Sequence, residues 1–500
     1  MNLAAHFLHR NPPDKTAILY EGRAFTYADV EAMANRAGNG LRALGVRSGD
    51  RVLLLLPDCP EFVAAWFGAI KIGAVAVPTN TALRTADFAH FLNESQPRVL
   101  LFHANLYSQL EPILGSCEAI VTGEPIGGAM FWQDWLAAQP DSLEEASVTA
   151  DDPAFWLWTS GSTGSPKAAL HRHADWLHCC ERYARDILGI GPADLTFSTS
   201  KLFHAYGLGN GLMFPFYAGA TTALYPGRPQ PRAILDFVEQ IRPTLFFSVP
   251  TLYAAMLHES ETRPPDLSSV RLAISAAEPL PAEIYRRWRE RFGCDILDGI
   301  GSTEVLHIYA SSRPNAIKPG STGLPVPGYE IRITDETGKE VAPGQAGDMW
   351  VRGASIASCY WNRPELTRER MCDGWFFTGD KYFADEDGYL WYAGRSDDMF
   401  RVLGEWVSPI ELEGALIEHP AVLECAVVAY KDDDRLLKPK ACVVLKKPED
   451  ASDALAAELQ QFVRRRIASF KYPRRIEFLE ELPKTPTGKI QRYKLRDPVP

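Results

Sequence analysis

The sequence lacks any long apolar run. Among its 500 residues the most apolar short segment is "VLLLLP" (Val52–Pro57), which is far shorter than the roughly 20 residues that cross a bilayer as a helix. The first residues, "MNLAAHFLHRNPPDK", contain no basic segment followed by a sustained apolar stretch and a cleavage site, so we expect no signal peptide. These absences argue against a membrane protein and against a secreted one.

Cysteine is sparse and shows no metal-binding or disulfide pattern. The nine cysteines are odd in number and contain no CxxC pair, which favours reduced thiols in a cytoplasmic protein over a disulfide framework. One cluster of possible zinc ligands has a spacing that fits no structural zinc template, so we expect no metal there. Its members are His171, His173, His178, Cys179 and Cys180.

Positive charge is scarce over the chain as a whole. With 52 Lys and Arg against 63 Asp and Glu, the net charge is −11, which argues against nucleic acid as the main partner. The distribution is uneven, because residues 461–500 carry eleven basic and four acidic side chains. This basic segment is either a solvated surface or part of a site for a polyanionic small ligand.

What is present is an ordinary globular composition, 46% apolar and 23% charged, in a chain too long for one hydrophobic core. Over the first four hundred residues, short apolar runs such as "RVLLLLP" alternate with helical patterns, which predicts βαβ units and mostly parallel sheets. From about residue 325, paired strands around an Asp-Glu-Thr-Gly turn predict a β subdomain. The last hundred residues predict a small, separate α+β domain with the order helix, strand, strand, helix. The fold class is therefore α/β, with a large N-terminal domain.

A loop rich in small residues is the first candidate for chemistry. The stretch "TSGSTGSPK" (Thr159–Lys167) follows a predicted strand and precedes a predicted helix, whose N-terminus would add its dipole. Glycines let the backbone approach a ligand, hydroxyls and amides donate to phosphate oxygens, and Lys167 supplies charge. The pattern is neither the Walker motif, since Lys167 is followed by Ala168, nor G-x-S-x-G. By itself it is either a flexible loop or a phosphate cradle.

Two further motifs carry carboxylates. "DGIGSTE" (Asp298–Glu304) places Glu304 behind a turn of small residues, where a carboxylate can hold Mg²⁺ beside phosphates. "GWFFTGD" ends a predicted strand on Asp380, which suits a ribose diol, and Arg395 in "GRSDD" can join it. Taken alone, each motif is also consistent with a structural turn or with a charged side chain exposed to solvent.

The last motif, "PKTPTGK" (Pro483–Lys489), presents Lys489 on a loop framed by Pro and Gly within the basic C-terminal segment. A hairpin tip is the plain alternative. The occurrence of all four motifs in one chain favours a nucleotide site.

These stretches resemble the adenylate-forming superfamily of acyl-CoA synthetases, luciferases and peptide-synthetase adenylation domains, in family order and over essentially the whole chain. Three segments, "KLFHAYGLGN" (Lys201–Asn210), "LDGIGSTEVLHIY" (Leu297–Tyr309) and "GEWVSPIELE" (Gly404–Glu413), are most similar to benzoate-type aryl-CoA ligases. The resemblance implies two steps: a carboxylate attacks the α-phosphate of Mg·ATP to give an acyl-adenylate and pyrophosphate, and the thiol of coenzyme A then displaces AMP.

The resemblance also implies roles for the motif residues. Lys489 would contact the carboxylate and the bridging oxygen, Lys167 and its loop the β- and γ-phosphates, and Glu304 the Mg²⁺ ion; these three are the expected catalytic residues. Adenine would lie against "SAAEPL" and "DGIG", with Asp380 and Arg395 on the ribose. The implied nucleotide-binding residues are Thr159, Ser160, Gly161, Ser162, Thr163, Gly164, Ala276, Ala277, Glu278, Pro279, Asp298, Gly299, Ile300, Gly301, Ser302, Thr303, Asp380, Tyr392 and Arg395.

The matching positions of the acid pocket combine small residues with Tyr206, which suits a flat aromatic ring better than a long alkyl chain. His204 stands where an aromatic gate residue is common. His307 is expected to be a polar wall and not a base, because an ionised carboxylate needs none, so benzoate, hydroxybenzoate and 2-aminobenzoate all stay open. The implied pocket residues are His204, Ala205, Tyr206, Gly299, Ile300, Gly301, His307 and Ile308.

The family rotates its C-terminal domain between the two steps. The implied division is an N-terminal domain over 1–394, a hinge over 395–398 containing Asp397, and a mobile C-terminal domain over 399–500. After rotation, Gly404, Glu405 and Trp406 would line the pantetheine tunnel. The sequence departs from the family pattern next to this point, with Leu403 where Ser is common and Arg401 where Lys is common.

Three alternatives stay open at this point: an enzyme that loads the aryl group onto a carrier-protein thiol, a medium-chain acyl-CoA synthetase, and a non-catalytic nucleotide-binding relative. The chain carries no attached carrier domain, which favours coenzyme A. Retention of all five polar motif residues argues against the non-catalytic relative; these are Lys167, Glu304, Asp380, Arg395 and Lys489. We expect a cytoplasmic monomer or homodimer that uses ATP with Mg²⁺ and coenzyme A.

Overall fold

The computed structural model describes residues 1–115, 117–160, 166–395, 400–402, 405–432, 436–467, 471–484 and 490–496. Most of the described chain belongs to two large sheets layered with helices. Their strands are short, strongly apolar runs such as Arg51–Leu55, in which Val52, Leu53, Leu54 and Leu55 are fully buried. Burial on both faces is the environment of parallel strands covered by helices, as the alternating pattern of the sequence predicts.

The first sheet has eight strands. All neighbouring strands from Pro153–Ser160 to Met130–Phe131 are parallel, whereas Pro166–Arg172 and Cys359–Tyr360 extend the other edge antiparallel. In spatial order the strands are Cys359–Tyr360, Pro166–Arg172, Pro153–Ser160, Val75–Pro78, Arg51–Leu55, Val99–His103, Glu118–Thr122 and Met130–Phe131.

The second sheet has nine strands. The strands from Ile296–Gly301 to Thr16–Tyr20 are parallel, and antiparallel strands are added at both edges. In spatial order they are Leu324–Pro325, Ile308–Ser311, Ile296–Gly301, Leu272–Ser275, Leu245–Ser248, Leu195–Ser198, Thr221–Ala223, Thr16–Tyr20 and Arg23–Thr26.

An antiparallel sheet of five strands follows in the chain, as the turn pattern after residue 325 predicts. Its strands are Glu330–Thr334, Gly347–Arg352, Met371–Cys372, Trp375–Ala384 and Leu390–Arg395.

Residues 400–495 contain two small sheets, one of Phe400–Val402 with Glu405–Val407 and one of Val422–Lys431, Leu437–Leu445 and Arg475–Phe478. Their buried apolar side chains form two clusters made only of residues from this part of the chain. The predicted order of helix, strand, strand and helix is confirmed. Residues 396–399 lie outside the described part, so the division at 395–398 stays a prediction.

The helices cover the sheets. The α-helices are Leu3–Leu8, Tyr27–Ala43, Pro60–Lys71, Thr85–Ser95, Tyr107–Leu110, Trp132–Ala137, Asp175–Cys179, Ala205–Leu208, Phe214–Ala218, Pro231–Ile241, Pro250–Thr262, Ala282–Phe292, Pro364–Arg370, Pro409–Ile417 and Asp453–Arg464. Short 3₁₀ turns lie at Ala104–Leu106, Glu111–Ile113, Thr303–Val305, Pro448–Asp450 and Arg492–Lys494, and π-helical turns at Cys180–Arg185 and Gly209–Met213. In the described part of the chain, no helix is both long and apolar enough to cross a membrane.

Two local predictions are wrong. The segment after the Ser/Gly-rich loop is the strand Pro166–Arg172 and not a helix, because it pairs with Pro153–Ser160 on one side and Cys359–Tyr360 on the other. The strand Trp375–Ala384 continues past Asp380 instead of ending there, since it pairs with Leu390–Arg395 up to its last residue.

Candidate nucleotide and acyl site

The Ser/Gly-rich loop connects the two strands of a β-hairpin. Register places Thr159 opposite Lys167 and Ser160 opposite Pro166, so the lysine emerges from the sheet beside the start of the loop. No helix N-terminus follows the loop, and the expected dipole contribution is therefore absent at this point of the described chain. The predicted phosphate-binding residues Gly161, Ser162, Thr163 and Gly164 lie outside the described residues, as does the side chain of Ser160.

Lys167, Glu304 and Tyr360 form the charged centre of the site. The Lys167 Nζ lies 4.0 Å from Glu304 Oε1 and 4.1 Å from the centre of the Tyr360 ring. The Tyr360 hydroxyl donates to Glu304 Oε1 at 2.7 Å, and burial, followed by the charge of Glu304, raises the pKa of Tyr360. The side chains of Lys167 and Glu304 are only 14% and 9% exposed, so their charges interact more strongly than at a surface.

Sequence reasoning missed Tyr360. It lies in the strand Cys359–Tyr360, which pairs with the lysine strand by placing Tyr360 opposite Ala169. Almost two hundred residues separate Tyr360 from Lys167, and an isolated tyrosine at such a distance gives no motif signal.

The turn that carries Glu304 follows the strand Ile296–Gly301. The Ser302 hydroxyl accepts from the Val305 amide at 3.2 Å and begins the 3₁₀ turn Thr303–Val305. The Glu304 carbonyl accepts from the Ala357 amide at 2.8 Å. The turn is thus fixed to the segment that precedes Tyr360.

The predicted adenine-binding segments meet at the carboxyl ends of two neighbouring strands in the nine-stranded sheet, Leu272–Ser275 and Ile296–Gly301. Ser275 pairs with Asp298 in parallel strands, so Ala276, Ala277, Glu278 and Pro279 leave the sheet beside Gly299. Carboxyl ends of parallel strands are where α/β sheets bind ligands. Burial raises the pKa of Asp298 well above its usual range.

Two residues of the segment after Ser275 have unusual surroundings. Ala277 has a φ of +74°, a conformation that costs about 1 kcal/mol or more for a residue with a side chain. Glu278 accepts from the Thr251 hydroxyl at 2.6 Å and from its amide at 3.2 Å, and burial raises the pKa of this carboxyl.

The predicted ribose-binding residues also come together. Asp380 lies opposite Arg395 in adjacent antiparallel strands, and Tyr382 lies opposite Tyr392 with ring centres 5.3 Å apart. The Asp380 amide donates to the Thr378 hydroxyl at 3.1 Å. Of Arg395, only the backbone is described.

The predicted acid pocket is assembled around His307. Its ring lies 5.6 Å from the Tyr206 ring and 4.5 Å from the Phe214 ring, in buried surroundings. Its Nε2 lies 3.4 Å from the Tyr206 carbonyl. Burial lowers the pKa of His307 to about 3, so the imidazole is neutral near pH 7, as the predicted polar wall requires.

The remaining pocket positions adjoin this wall. Tyr206 donates its hydroxyl to the carbonyls of Ser248 at 3.3 Å and Ile274 at 3.1 Å, which fixes the ring against two strand ends. Gly301 pairs with Ile308 and Ile300 with Ala310. A Cβ at Gly299 would lie 3.0 Å from Ile308 Cγ2, and one at Gly301 would lie 2.7 Å from the His307 carbonyl oxygen.

His204 precedes the helix Ala205–Leu208. Burial lowers the pKa of His204 to about 4, and its ring meets the Phe203 ring edge-on with centres 4.5 Å apart. Ala205 is 8% exposed. The His204 side chain is thus a neutral, buried imidazole near pH 7.

The buried Asn210 side chain hydrogen-bonds to Tyr206, and Ser275 hydrogen-bonds to Asp298. Two other buried polar atoms near the pocket have no hydrogen-bond partner among the described residues, His307 Nδ1 and His204 Nε2. Native structures leave few such atoms unpaired, and a bound ligand is one way to satisfy them. Sequence reasoning quoted Asn210 only as the end of "KLFHAYGLGN"; its signal was a polar side chain in an apolar helical stretch.

The C-terminal residues can be placed only in part. Lys489, Asp397 and Gly404 lie outside the described residues, and of Glu405 and Trp406 only the backbone is described, in the strand Glu405–Val407.

The flanks of the Lys489 segment are well anchored. Lys484 pairs with Ile490 in an antiparallel bridge and forms an ion pair with Glu424 at 2.6 Å. Arg492 donates to both carboxylate oxygens of Glu413 at 2.7 Å.

Comparisons with known proteins cover nearly the whole chain. Residues 5–361 match the family model described as "AMP-binding enzyme", and residues 411–489 match "AMP-binding enzyme C-terminal domain". A benzoate–CoA ligase of Thauera aromatica is 46% identical over 488 residues, which cover 96% of this chain and 92% of the relative.

Two solved structures are similar over nearly their full length. An anthranilate CoA ligase, AuaEII, in complex with anthranoyl-AMP has a TM-score of 0.96 at 42% identity, with 99% of this chain and 96% of that chain covered. A benzoate CoA ligase from Burkholderia xenovorans LB400 has a TM-score of 0.94 at 43% identity, with 99% and 100% covered.

Proposed function

The chain belongs to the family of AMP-binding enzymes, and from this premise we propose that it is an AMP-forming aryl-acid:CoA ligase. An aromatic carboxylate attacks the α-phosphorus of ATP, a new bond forms between the carboxylate oxygen and phosphorus, and pyrophosphate leaves. The thiolate of coenzyme A then attacks the carbonyl carbon of the aryl-adenylate, and AMP leaves.

The observation that carries this proposal is the buried contact of Lys167, Glu304 and Tyr360 at the base of the Ser/Gly-rich hairpin. The first step brings an anion to a polyanion, so cations must neutralise the developing charge. We assign Lys167, with Thr159 and the loop that follows, to the β- and γ-phosphates. Lys489 is assigned to the attacking carboxylate and the bridging oxygen.

The residues present fit a magnesium ion that arrives with ATP. Glu304 offers a buried carboxylate, and Mg²⁺ in such sites is bound by one or two carboxylates together with substrate phosphates. Among the described residues, no group of three or more His, Cys, Asp or Glu side chains is arranged to hold a metal by itself. Bound to Glu304 and the phosphates, the ion would neutralise charge on the leaving pyrophosphate.

We assign the nucleoside to the carboxyl ends of the parallel strands in the nine-stranded sheet. Adenine would lie between the segments 276–279 and 298–301, with Ser302 and Thr303 near the α-phosphate. Asp380, Arg395 and Tyr392 would contact the ribose, since register already brings them together.

The acid is assigned to the benzoate, hydroxybenzoate or 2-aminobenzoate class. Flat rings suit a pocket made of glycines, Tyr206 and the neutral His307. The named activities of the relatives, benzoate–CoA and anthranilate CoA ligases, agree with this assignment. A ring hydroxyl or amine would find a hydrogen-bond partner in the unpaired Nδ1 of His307.

The thioester step is assigned to a second position of the C-terminal part. We propose that residues 399–500 rotate about 395–398, with Asp397 as the hinge, and that Gly404, Glu405 and Trp406 then line the pantetheine path.

The protein would act in the cytoplasm as a monomer or homodimer. All nine cysteines lie among the described residues, and each is a free thiol.

A substrate screen tests the function. AMP release that depends on both ATP and coenzyme A is measured with benzoate, hydroxybenzoates, aminobenzoates, cinnamates and medium-chain fatty acids. We expect kcat/KM for at least one substituted or plain benzoate to exceed that for octanoate by 100-fold or more, since a ring fills this pocket and a chain does not. Preference for octanoate, or turnover with a phosphopantetheinyl carrier but not with coenzyme A, would contradict the proposal.

A further inference from the structure

His171 is a buried histidine without a place in the chemistry described so far. It lies in the strand Pro166–Arg172, four residues after Lys167, and is fully buried. The Phe155 ring stacks on it with centres 5.2 Å apart and an interplanar angle of 15°. The histidine is therefore held in one orientation by packing.

Both ring nitrogens of His171 face oxygen acceptors. Nε2 lies 2.8 Å from the Thr303 carbonyl oxygen, and Nδ1 lies 3.1 Å from Asp175 Oδ2. Asp175 also accepts from the Arg172 amide at 2.9 Å and from the Arg172 guanidinium Nε at 3.0 Å, which keeps its carboxylate an acceptor. These two contacts, one at each ring nitrogen, fix the orientation of the ring.

The Thr303 carbonyl belongs to the turn that carries Glu304. Three consecutive carbonyls of this turn are each held from a different direction: Thr303 by His171, Glu304 by the Ala357 amide at 2.8 Å, and Val305 by the Ser355 hydroxyl at 2.7 Å. Of these three contacts, the one from His171 comes from the strand of Lys167. It therefore ties the lysine and the glutamate to each other independently of any ligand.

We propose that His171 is a positioning residue for adenylate formation, which fixes the distance between the Lys167 strand and the Glu304 turn. The Asp175 carboxylate orients and polarises the ring, which strengthens the hydrogen bond at its other nitrogen. The Thr303 carbonyl also accepts from the Leu306 amide at 3.1 Å within its own turn, so the contact with His171 is the one of the two that links this turn to the Lys167 strand. The inference rests on the proposed function only in naming the step that Lys167 and Glu304 serve.

Two amide substitutions separate the contacts of the two ring nitrogens. In His171→Gln the amide N–H takes the place of Nε2–H and can still reach the Thr303 carbonyl. In His171→Asn the shorter amide occupies the place of Nδ1, beside Asp175, and loses Thr303. We expect His171→Asn and His171→Ala to slow acid-dependent ATP–pyrophosphate exchange by roughly 10- to 100-fold, the range for displaced catalytic groups, and His171→Gln to recover most of the rate.

Three further readouts distinguish positioning from general structure. Transfer from supplied aryl-adenylate to coenzyme A should stay within about twofold in all variants, because that step does not use the β- and γ-phosphate contacts. Calorimetric titration with a non-hydrolysable ATP analogue should show weaker binding in His171→Asn than in His171→Gln. The control His173→Ala removes an equally buried imidazole, which contacts the Leu3 amide at 3.1 Å instead of the turn, and should leave exchange nearly unchanged.

Equal exchange rates in His171→Gln and His171→Asn, or equal losses in both half-reactions, would overturn the proposal. So would failure of all three variants to fold, which would make His171 purely structural. If the wild-type protein activates no aryl acid, the proposed function fails, while the analogue titration still decides the role of His171.

Discussion

Tyr360 is the residue whose role could not be read from any motif. Its hydroxyl donates to Glu304 Oε1 at 2.7 Å, and its ring lies under the Lys167 ammonium. The ring therefore stabilises the Lys167 ammonium, and the hydroxyl orients the Glu304 carboxylate. A substitution that removes only the hydroxyl separates the two.

Tyr360→Phe keeps the ring and removes the hydrogen bond to Glu304. A hydrogen bond to a charged group contributes about 1.5–3 kcal/mol, so we expect kcat for adenylate formation to fall about 10- to 100-fold. The Mg²⁺ concentration for half-maximal rate should rise, while thioester formation from supplied adenylate is retained. The matched control is Tyr389→Phe, which removes a hydroxyl bonded to the Ala316 carbonyl at 3.3 Å. Similar losses in both variants would remove the special role of Tyr360.

His307 gives a prediction for the pH dependence of stability. Burial lowers the pKa of His307 to about 3, whereas an unfolded histidine titrates near 6.5. Between these values the unfolded state binds more protons, so the histidine makes the folded state less stable as the pH falls below about 6.5. At pH 5.5 the loss from this residue is about 1.4 kcal/mol relative to neutral pH.

Thermal unfolding at pH 7.5 and 5.5 tests this statement. We expect the decrease in Tm between the two pH values to be smaller in His307→Gln than in the wild-type protein. His204, whose pKa burial lowers to about 4, contributes with the same sign in both proteins and cancels in the comparison. An unchanged decrease in the variant would mean that His307 is protonated in the folded protein.

Among the secondary-structure elements, the π-helical turn Gly209–Met213 lets the His307 ring lie close to the backbone at Gly209. A Cβ at Gly209 would lie 2.4 Å from His307 Cδ2, closer than real atoms approach, whereas one at Gly211 would meet only the end of the Leu202 side chain at 3.1 Å. Gly209→Ala must therefore displace the polar wall. We expect the KM for the aryl acid to rise 10-fold or more with the KM for ATP unchanged. Gly211→Ala should behave nearly like the wild-type protein, and equal KM values in both variants would contradict the pocket assignment.

The hairpin around the Ser/Gly-rich loop shows where sequence reasoning fails. "PKAALHR" contains good helix formers, and local preference predicts a helix. The structure makes it a strand, because backbone pairing on both sides and burial of Ala168, Ala169 and Leu170 outweigh that preference. Strongly apolar runs such as Arg51–Leu55 were predicted correctly, because a run of about five apolar residues is too short for a helix and suits a strand that is buried on both faces.

The residues of the candidate site also fall into two groups: those that a local motif indicates and those that only the tertiary structure brings to the site. Clustered motifs singled out Lys167, Glu304 and the Asp380–Arg395 pair, because each stands in a short stretch of unusual composition; the structure places Lys167 beside Glu304 and Asp380 opposite Arg395. Tyr360 and the contact between His171 and Thr303 depend on strands that are distant in sequence. No local pattern carries such information.

At the scale of the whole molecule, the two half-reactions are assigned to two positions of the C-terminal part. Lys489→Ala removes the cation that we assign to the first step only, so we expect acid-dependent ATP–pyrophosphate exchange to fall by 100-fold or more while supplied adenylate is still converted to thioester. Asp397→Pro restricts φ at the proposed hinge and should have the opposite effect, slowing thioester formation more than adenylate formation. Near-normal exchange in Lys489→Ala, or equal losses of both steps in Asp397→Pro, would contradict these assignments.

In the proposed reaction, an aromatic acid is activated as an adenylate before coenzyme A reacts. This order is tested by incubating the enzyme with ATP, Mg²⁺ and the best acid of the screen without coenzyme A, and identifying the enzyme-bound product by mass spectrometry. We predict one aryl-adenylate and one pyrophosphate per active site, with conversion to aryl-CoA and AMP when coenzyme A is added. Formation of ADP and an acyl phosphate, or no product until coenzyme A is present, would contradict the account.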